Sequence, residues 1–160
     1  MPIVRSKEVP SPSDELQRVA ALLGGARILR REISGALDVH ELILRGLPAR
    51  ALGHLMGELI HIEPAKSLEK AIGITVRTFQ RHKTTPAKPL STEQGSRTWK
   101  FAEILAKATA VLGSQEEAEK WLERPAIGLN QMRPMDLLAT SAGVEMVETH
   151  LVRLEYGVYT

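Results

Sequence analysis

The chain has 160 residues, enough for one sizeable core or two small ones, with 43% apolar and 25% charged residues and a formal net charge of +2. It contains no cysteine, which excludes disulfides, thiolate metal sites and cysteine nucleophiles and suits a reducing cytoplasm. No apolar run reaches the ~18 residues that span a bilayer, and residues 1–12 lack the apolar stretch of a signal peptide, so a cytoplasmic location is expected.

The charge is unevenly spread. Residues 1–63 hold eight basic and eight acidic side chains, residues 64–100 eight and two, and residues 101–160 five and nine. A basic centre beside an acidic last third points to two different partners.

Residues 1–12, with Pro2, Pro10 and Pro12, read as a flexible arm. Ser13 is placed to cap a helix carrying Leu16, Val19, Ala20 and Leu23, stopped by Gly24-Gly25. Ile28, Leu29 and Ile33 give a second short helical piece up to Gly35, and Asp38 is placed to cap a third over Val39–Leu44. Pro48 suits the first turn of a longer helix with Leu52, Leu55, Met56, Leu59 and Ile60 on one side. His54, Glu58 and His61 share a face of that helix. They lack the adjacent Glu of a zinc-protease motif, so a polar face rather than a metal site is expected.

Pro64 opens the next predicted helix, through Leu68, Ala71 and Ile72. Gly73-Ile74-Thr75 breaks it, and Thr75 caps a second helix beginning at Val76. Helix, glycine turn and helix form a helix-turn-helix plan. Spacing turns Val76, Phe79 and His82 toward the first helix and leaves Arg77, Thr78, Gln80, Arg81 and Lys83 outward. Those side chains suit base edges and phosphates; with Lys66, Ser67 and Thr75 they form the predicted DNA-binding set.

Pro86 and Pro89 then separate this unit from a helix opened by the Ser91/Gln94 capping box and carrying Trp99, Ala102, Leu105, Ala108 and Leu112. Arg97 and Lys100 extend the basic stretch and are placed to reach flanking phosphates. Ser114 and Glu117 suggest a second capping box, on a helix that delivers Trp121 as a core anchor. Glu116, Glu117 and Glu119 are expected on its exposed start, where they favour the helix dipole. No glycine-rich phosphate loop, nucleophile elbow or converging carboxyl pair appears, so neither enzyme activity nor a cofactor is expected.

The last third carries Trp121-Leu122, Pro125, Pro134-Met135-Asp136-Leu137-Leu138-Ala139-Thr140, Gly143-Val144 and a closing Tyr156-Gly157-Val158. Val144, Val147, Leu151 and Leu154 fall on one helix face, and Gly157 sits where a left-handed stop belongs. With Arg45-Gly46-Leu47-Pro48 and the helix-turn-helix, this pattern over residues 45–160 resembles the Xre/MbcA/ParS family of antitoxins. Many members have Leu-Gly-Gly where this chain has Leu129-Asn130-Gln131, so that loop is expected to take a different conformation.

The reading is therefore an all-α protein: arm 1–12, helix-turn-helix DNA-binding domain 13–90, and small helical toxin-binding domain 91–160. The resemblance implies the antitoxin of a type II toxin–antitoxin system. Such a protein occludes the active site of a RES-domain, NAD-degrading toxin and represses its own operon as a homodimer and in larger hetero-oligomers with toxin. The toxin-binding residues expected on that basis are Arg133, Leu151, Leu154, Tyr156, Gly157, Val158, Tyr159 and Thr160. A helix-turn-helix repressor whose C-terminal stripe only dimerises is the alternative, and a chromosome-partition or architectural DNA-binding protein is the third reading.

Overall fold

The computed structural model describes residues 11–63, 67–85 and 88–157, with the side chains of residues 67 and 68 left aside. The described residues form ten α-helices and one 3-10 turn: α1 Pro12–Leu22, α2 Gly25–Leu29, α3 Ala36–Arg45, α4 Ala49–Glu58, α5 Ser67–Ile72, α6 Val76–Thr84, α7 Thr92–Leu112, α8 Gln115–Leu122, the 3-10 turn Ile127–Leu129, α9 Pro134–Leu137 and α10 Ser141–Glu155. The all-α expectation holds. Pro64 and Pro86, and of the arm residues 1–10, lie outside the described residues.

Helix starts follow local chemistry, with several shifted boundaries. Ser11 rather than Ser13 caps α1, because Pro12 occupies the first helical position, where its missing N–H is no loss. Asp14 completes that box by accepting from the Ser11 N–H. Helix α3 begins before Asp38, whose carboxylate reaches back to the N–H groups of Ser34 and Gly35 and to Arg31. The Ser34 hydrogen bonds, backbone first, hold the Asp38 carboxyl below the usual range. Pro48 precedes α4 as its N-cap, and the helix ends at Glu58. Leu59 therefore falls just beyond it, and Ile60 is 58% exposed instead of joining the inner face. The Ser91/Gln94 box forms as predicted, whereas Ser114 caps α8 without a reciprocal bond from Glu117.

The core centres on α7, which packs against α1, α3, α5, α8 and α10. The spacing of Trp99, Ala102, Leu105 and Ala108 predicts a single inward stripe. Phe101, Ile104 and Ala106 are buried as well, so α7 is enclosed on nearly every side. Leu47, Leu52, Leu55, Phe101, Leu105, Leu122, Met135 and Leu151 belong to one contiguous apolar cluster that crosses the predicted 90/91 boundary. Beside α7, the Leu47–Ala49 segment runs antiparallel to residues 88–90, with the Leu90 N–H donating to the Leu47 carbonyl at 2.8 Å.

Candidate functional site

The basic face is built on the α5–turn–α6 unit. Gly73 turns the chain at φ +75°, and a Cβ there would run into the Arg97 guanidinium. Arg97 donates from Nε to the Ala71 carbonyl (3.0 Å) and from Nη2 to the Lys70 carbonyl (2.7 Å). It therefore satisfies the otherwise open carbonyl end of α5, a role that charge alone did not suggest.

Thr75 caps α6 by accepting from the Thr78 N–H at 3.1 Å, and its hydroxyl donates to that of Thr78. Both hydroxyls thus serve the cap. Arg77, Gln80, Arg81 and Lys83 are exposed, and Arg77, Arg81 and Lys83 have no ion-pair partner among the described residues. Lys83 lies over the Phe79 ring, Nζ 5.0 Å from its centroid. Phe79 packs against the core as predicted, but Val76 is 37% exposed, because Ile74 fills the inner position instead. His82 is half-buried, and its Nδ1 has no hydrogen-bond partner among the described residues. Burial, then Lys88 and Arg81, push its pKa down. Ser67 starts α5, and Lys66 lies outside the described residues.

The second face belongs to α8–α10. Thr140 caps α10 through the Gly143 N–H, and a Cβ on Gly143 would strike the backbone of Leu137. Glycine at that motif position is what lets α9 and α10 approach. Gly157 takes φ +70°, as the predicted stop requires. Val147 and Leu151 are fully buried and Val144 packs on the core, so the stripe serves this chain's own interior. Leu151 is thereby corrected from a contact residue to a core residue, and the stripe is not free for dimerisation. Leu154 is half-buried, while Tyr156 is 74% exposed. Arg133 spends two hydrogen bonds on Asp136, both 2.9 Å, and that bond holds the Asp136 carboxyl low. Asp136 also meets Lys70 of α5 at 3.7 Å, joining the two faces. Val158, Tyr159 and Thr160 lie outside the described residues.

Two features escaped sequence reasoning. Glu119, expected on an exposed helix start, has no exposed surface. Its carboxyl oxygens accept from the backbone N–H groups of Ile60, His61 and Ile62 at 2.9–3.1 Å, and from Gln115. The available signal was its place between Ala118 and Leu122, which are both buried. The second is the Asn130-Gln131 loop. It adopts left-handed φ of +54° and +63° despite lacking glycines. The Ala126–Met132 bridge closes the loop and holds both residues there. His61 falls beyond the end of α4 and turns to Glu116 (3.1 Å), while His54 pairs with Glu58, so the three side chains do not converge.

A basic helix without ion-pair partners among the described residues, fused through one core to a C-terminal half of net acidic charge, defines a helix-turn-helix protein with a second, differently charged half. The comparisons with known proteins say which kind. The family model for the Antitoxin Xre-like helix-turn-helix domain matches residues 38–103, and that for the Antitoxin Xre/MbcA/ParS C-terminal toxin-binding domain matches residues 107–157. Antitoxin Xre of Pseudomonas putida is 28% identical over 79% of this chain and 76% of its own length. Antitoxin Xre of Yersinia enterocolitica is 29% identical over 61% and 66%. The chain belongs to the Xre/MbcA/ParS-type antitoxins of toxin–antitoxin systems. Among the described residues no helix is long and apolar enough to cross a membrane.

Proposed function

We propose that this antitoxin neutralises a RES-domain, NAD-degrading toxin by covering its active-site cleft, and represses its own operon through α6. The observation that carries the reading is the pairing of two matched domains with two stretches of opposite net charge, residues 64–100 and 101–160, on one core. Arg77, Gln80 and Arg81 read base edges and Lys83 holds phosphate, while Thr75 and Thr78 set the pitch of the helix that presents them. Lys66 and Ser67 add backbone contacts at the start of α5. The protein acts by binding rather than turnover, as a homodimer on a two-fold operator, in the cytoplasm where both partners are found. The end of α10, with Leu154, Tyr156 and Gly157 leading into Val158, Tyr159 and Thr160, lies at the mouth of the toxin's cleft, with Arg133 alongside.

The test applies two assays to two variants. An Arg77→Ala/Arg81→Ala double variant loses operator affinity by about 1–3 kcal/mol per base-reading side chain, yet still inhibits the toxin's NADase activity. Removing residues 157–160 does the reverse. Loss of inhibition by a folded double variant, or full inhibition by the truncation, overturns the assignment of the two faces.

A further inference from the structure

One groove in the C-terminal half is unused by the described core. It encloses about 470 Å3 between α8, the 3-10 turn and α10, and its walls include Trp121, Ile127, His150 and Leu154, with Glu117 and Arg124 at the edges. Ile127 stands at its lip 78% exposed, the most exposed of the large apolar side chains described. The Trp121 ring lies flat against that of His150, centroids 6.0 Å apart and planes within 4°. A rigid aromatic floor with an aliphatic rim suits a single inserted side chain.

Two local costs lie beside and within these walls. The loop that carries Ile127 and Gly128 closes through Asn130 and Gln131, both left-handed without the relief of glycine. His150 is almost wholly buried, and its Nδ1 has no hydrogen-bond partner among the described residues. Strained backbone and an orphaned polar atom are uncommon in a structure selected for stability alone, and they concentrate where a surface is shaped for a partner.

We infer that this groove receives an apolar anchor side chain of the toxin, and that Ile127 and Trp121 form the centre of that contact. The inference rests on the proposed function and deepens it. All the lining residues fall between 112 and 154, inside the span matched as the toxin-binding domain. Charge argues against a second copy as occupant, because residues 101–160 carry five basic and nine acidic side chains and two such faces repel. The fitting partner is an apolar side chain such as Leu, Met or Phe on an otherwise basic surface. Leu154 also lines a second groove, with Tyr156, on the other side of the end of α10. The anchor site is therefore continuous with the terminus assigned to the toxin's cleft.

The experiment titrates the RES-domain toxin of the same operon, purified in a catalytically inactive form, into the full-length antitoxin by isothermal titration calorimetry. Ile127→Glu is a surface substitution that keeps the melting temperature and operator binding, and it weakens toxin affinity by about thirtyfold or more. Ile127→Met, which keeps an apolar rim, restores most of it. Toxin affinity within about threefold of wild type for Ile127→Glu overturns the inference while leaving the proposed function standing. So does conversion of a dimer to a monomer by Ile127→Glu in light scattering, which assigns the groove to a second copy. Absence of binding by the wild-type chain overturns the proposed function and the inference together.

Discussion

Replacing Glu119 by alanine is the sharpest test of how the two halves are joined. Its carboxyl oxygens accept from three successive backbone N–H groups at residues 60–62, and Gln115 ties it down while reaching the Glu58 carbonyl. In Glu119→Ala the Ile62 N–H is left buried without an acceptor, at a cost of about 1–3 kcal/mol. The Ile60 and His61 groups lie in an exposed segment where water replaces the lost bonds, so each adds about 0.5–1.5 kcal/mol. The total is about 2–6 kcal/mol, and at about 2–4 °C per kcal/mol for a chain of this size the melting temperature falls by roughly 4–24 °C. Glu119→Gln keeps one oxygen for those N–H groups but turns an amide toward Gln115, and loses about 1–2 kcal/mol. Chemical denaturation with a two-state fit, run beside a thermal melt, measures both. An alanine variant that melts within 2 °C of wild type would refute the claim that this side chain pins the segment after α4.

Three further outcomes are expected. Arg97→Ala lowers operator affinity without lowering the salt dependence of binding by the roughly one unit that a lost phosphate contact brings, and Arg97→Lys fails to rescue because an ammonium lacks the fork that spans two carbonyls. Gln131→Gly or Asn130→Gly stabilises the fold by about 1 kcal/mol in thermal melts, since each residue now holds a left-handed φ; destabilisation would show that the side chain earns its place locally. His82 and His150 have folded pKa values pushed below 6.5, His150 by burial and then Arg153. The unfolded chain then binds more protons, so stability is present above the ordinary histidine range and falls as pH drops through 6.5 toward the folded values; melts from pH 7.5 to 5.5 check this, and a rising midpoint on acidification would contradict it.

The helix-turn-helix and the α10 stripe were legible because each depends on signals a few residues apart: Gly73 then Thr75, or Val144 to Leu154 in steps of three and four. Ser91 with Gln94 was legible for the same reason. What resisted reading depends on distant neighbours. Periodicity locates a buried face only when a helix has one side covered, so it placed a stripe on α7 but missed its near-complete enclosure. Glu119 looks solvated because a carboxyl normally is, and nothing local announces the unpaired N–H groups 57–59 positions earlier. Arg97 reads as a phosphate ligand until the open end of α5 is seen beside it. At Gln131 residue preference points away from the left-handed region, which Asn130 tolerates better, and closure of the loop holds both there.

The unbroken course of α7 has a consequence for exchanging parts among relatives. The two matched domains meet within this helix, at residues 103–107, with no loop between them. Lys100 on its first half already grips Glu148 of α10 at 2.9 Å. A hybrid built by joining one relative's DNA-reading half to another's toxin-binding half must therefore preserve helical phase across the seam. One added residue turns everything after it by about 100°, and moves the captured toxin around the duplex by the same angle. Such hybrids can tolerate foreign surfaces more readily than a change in residue number at that point.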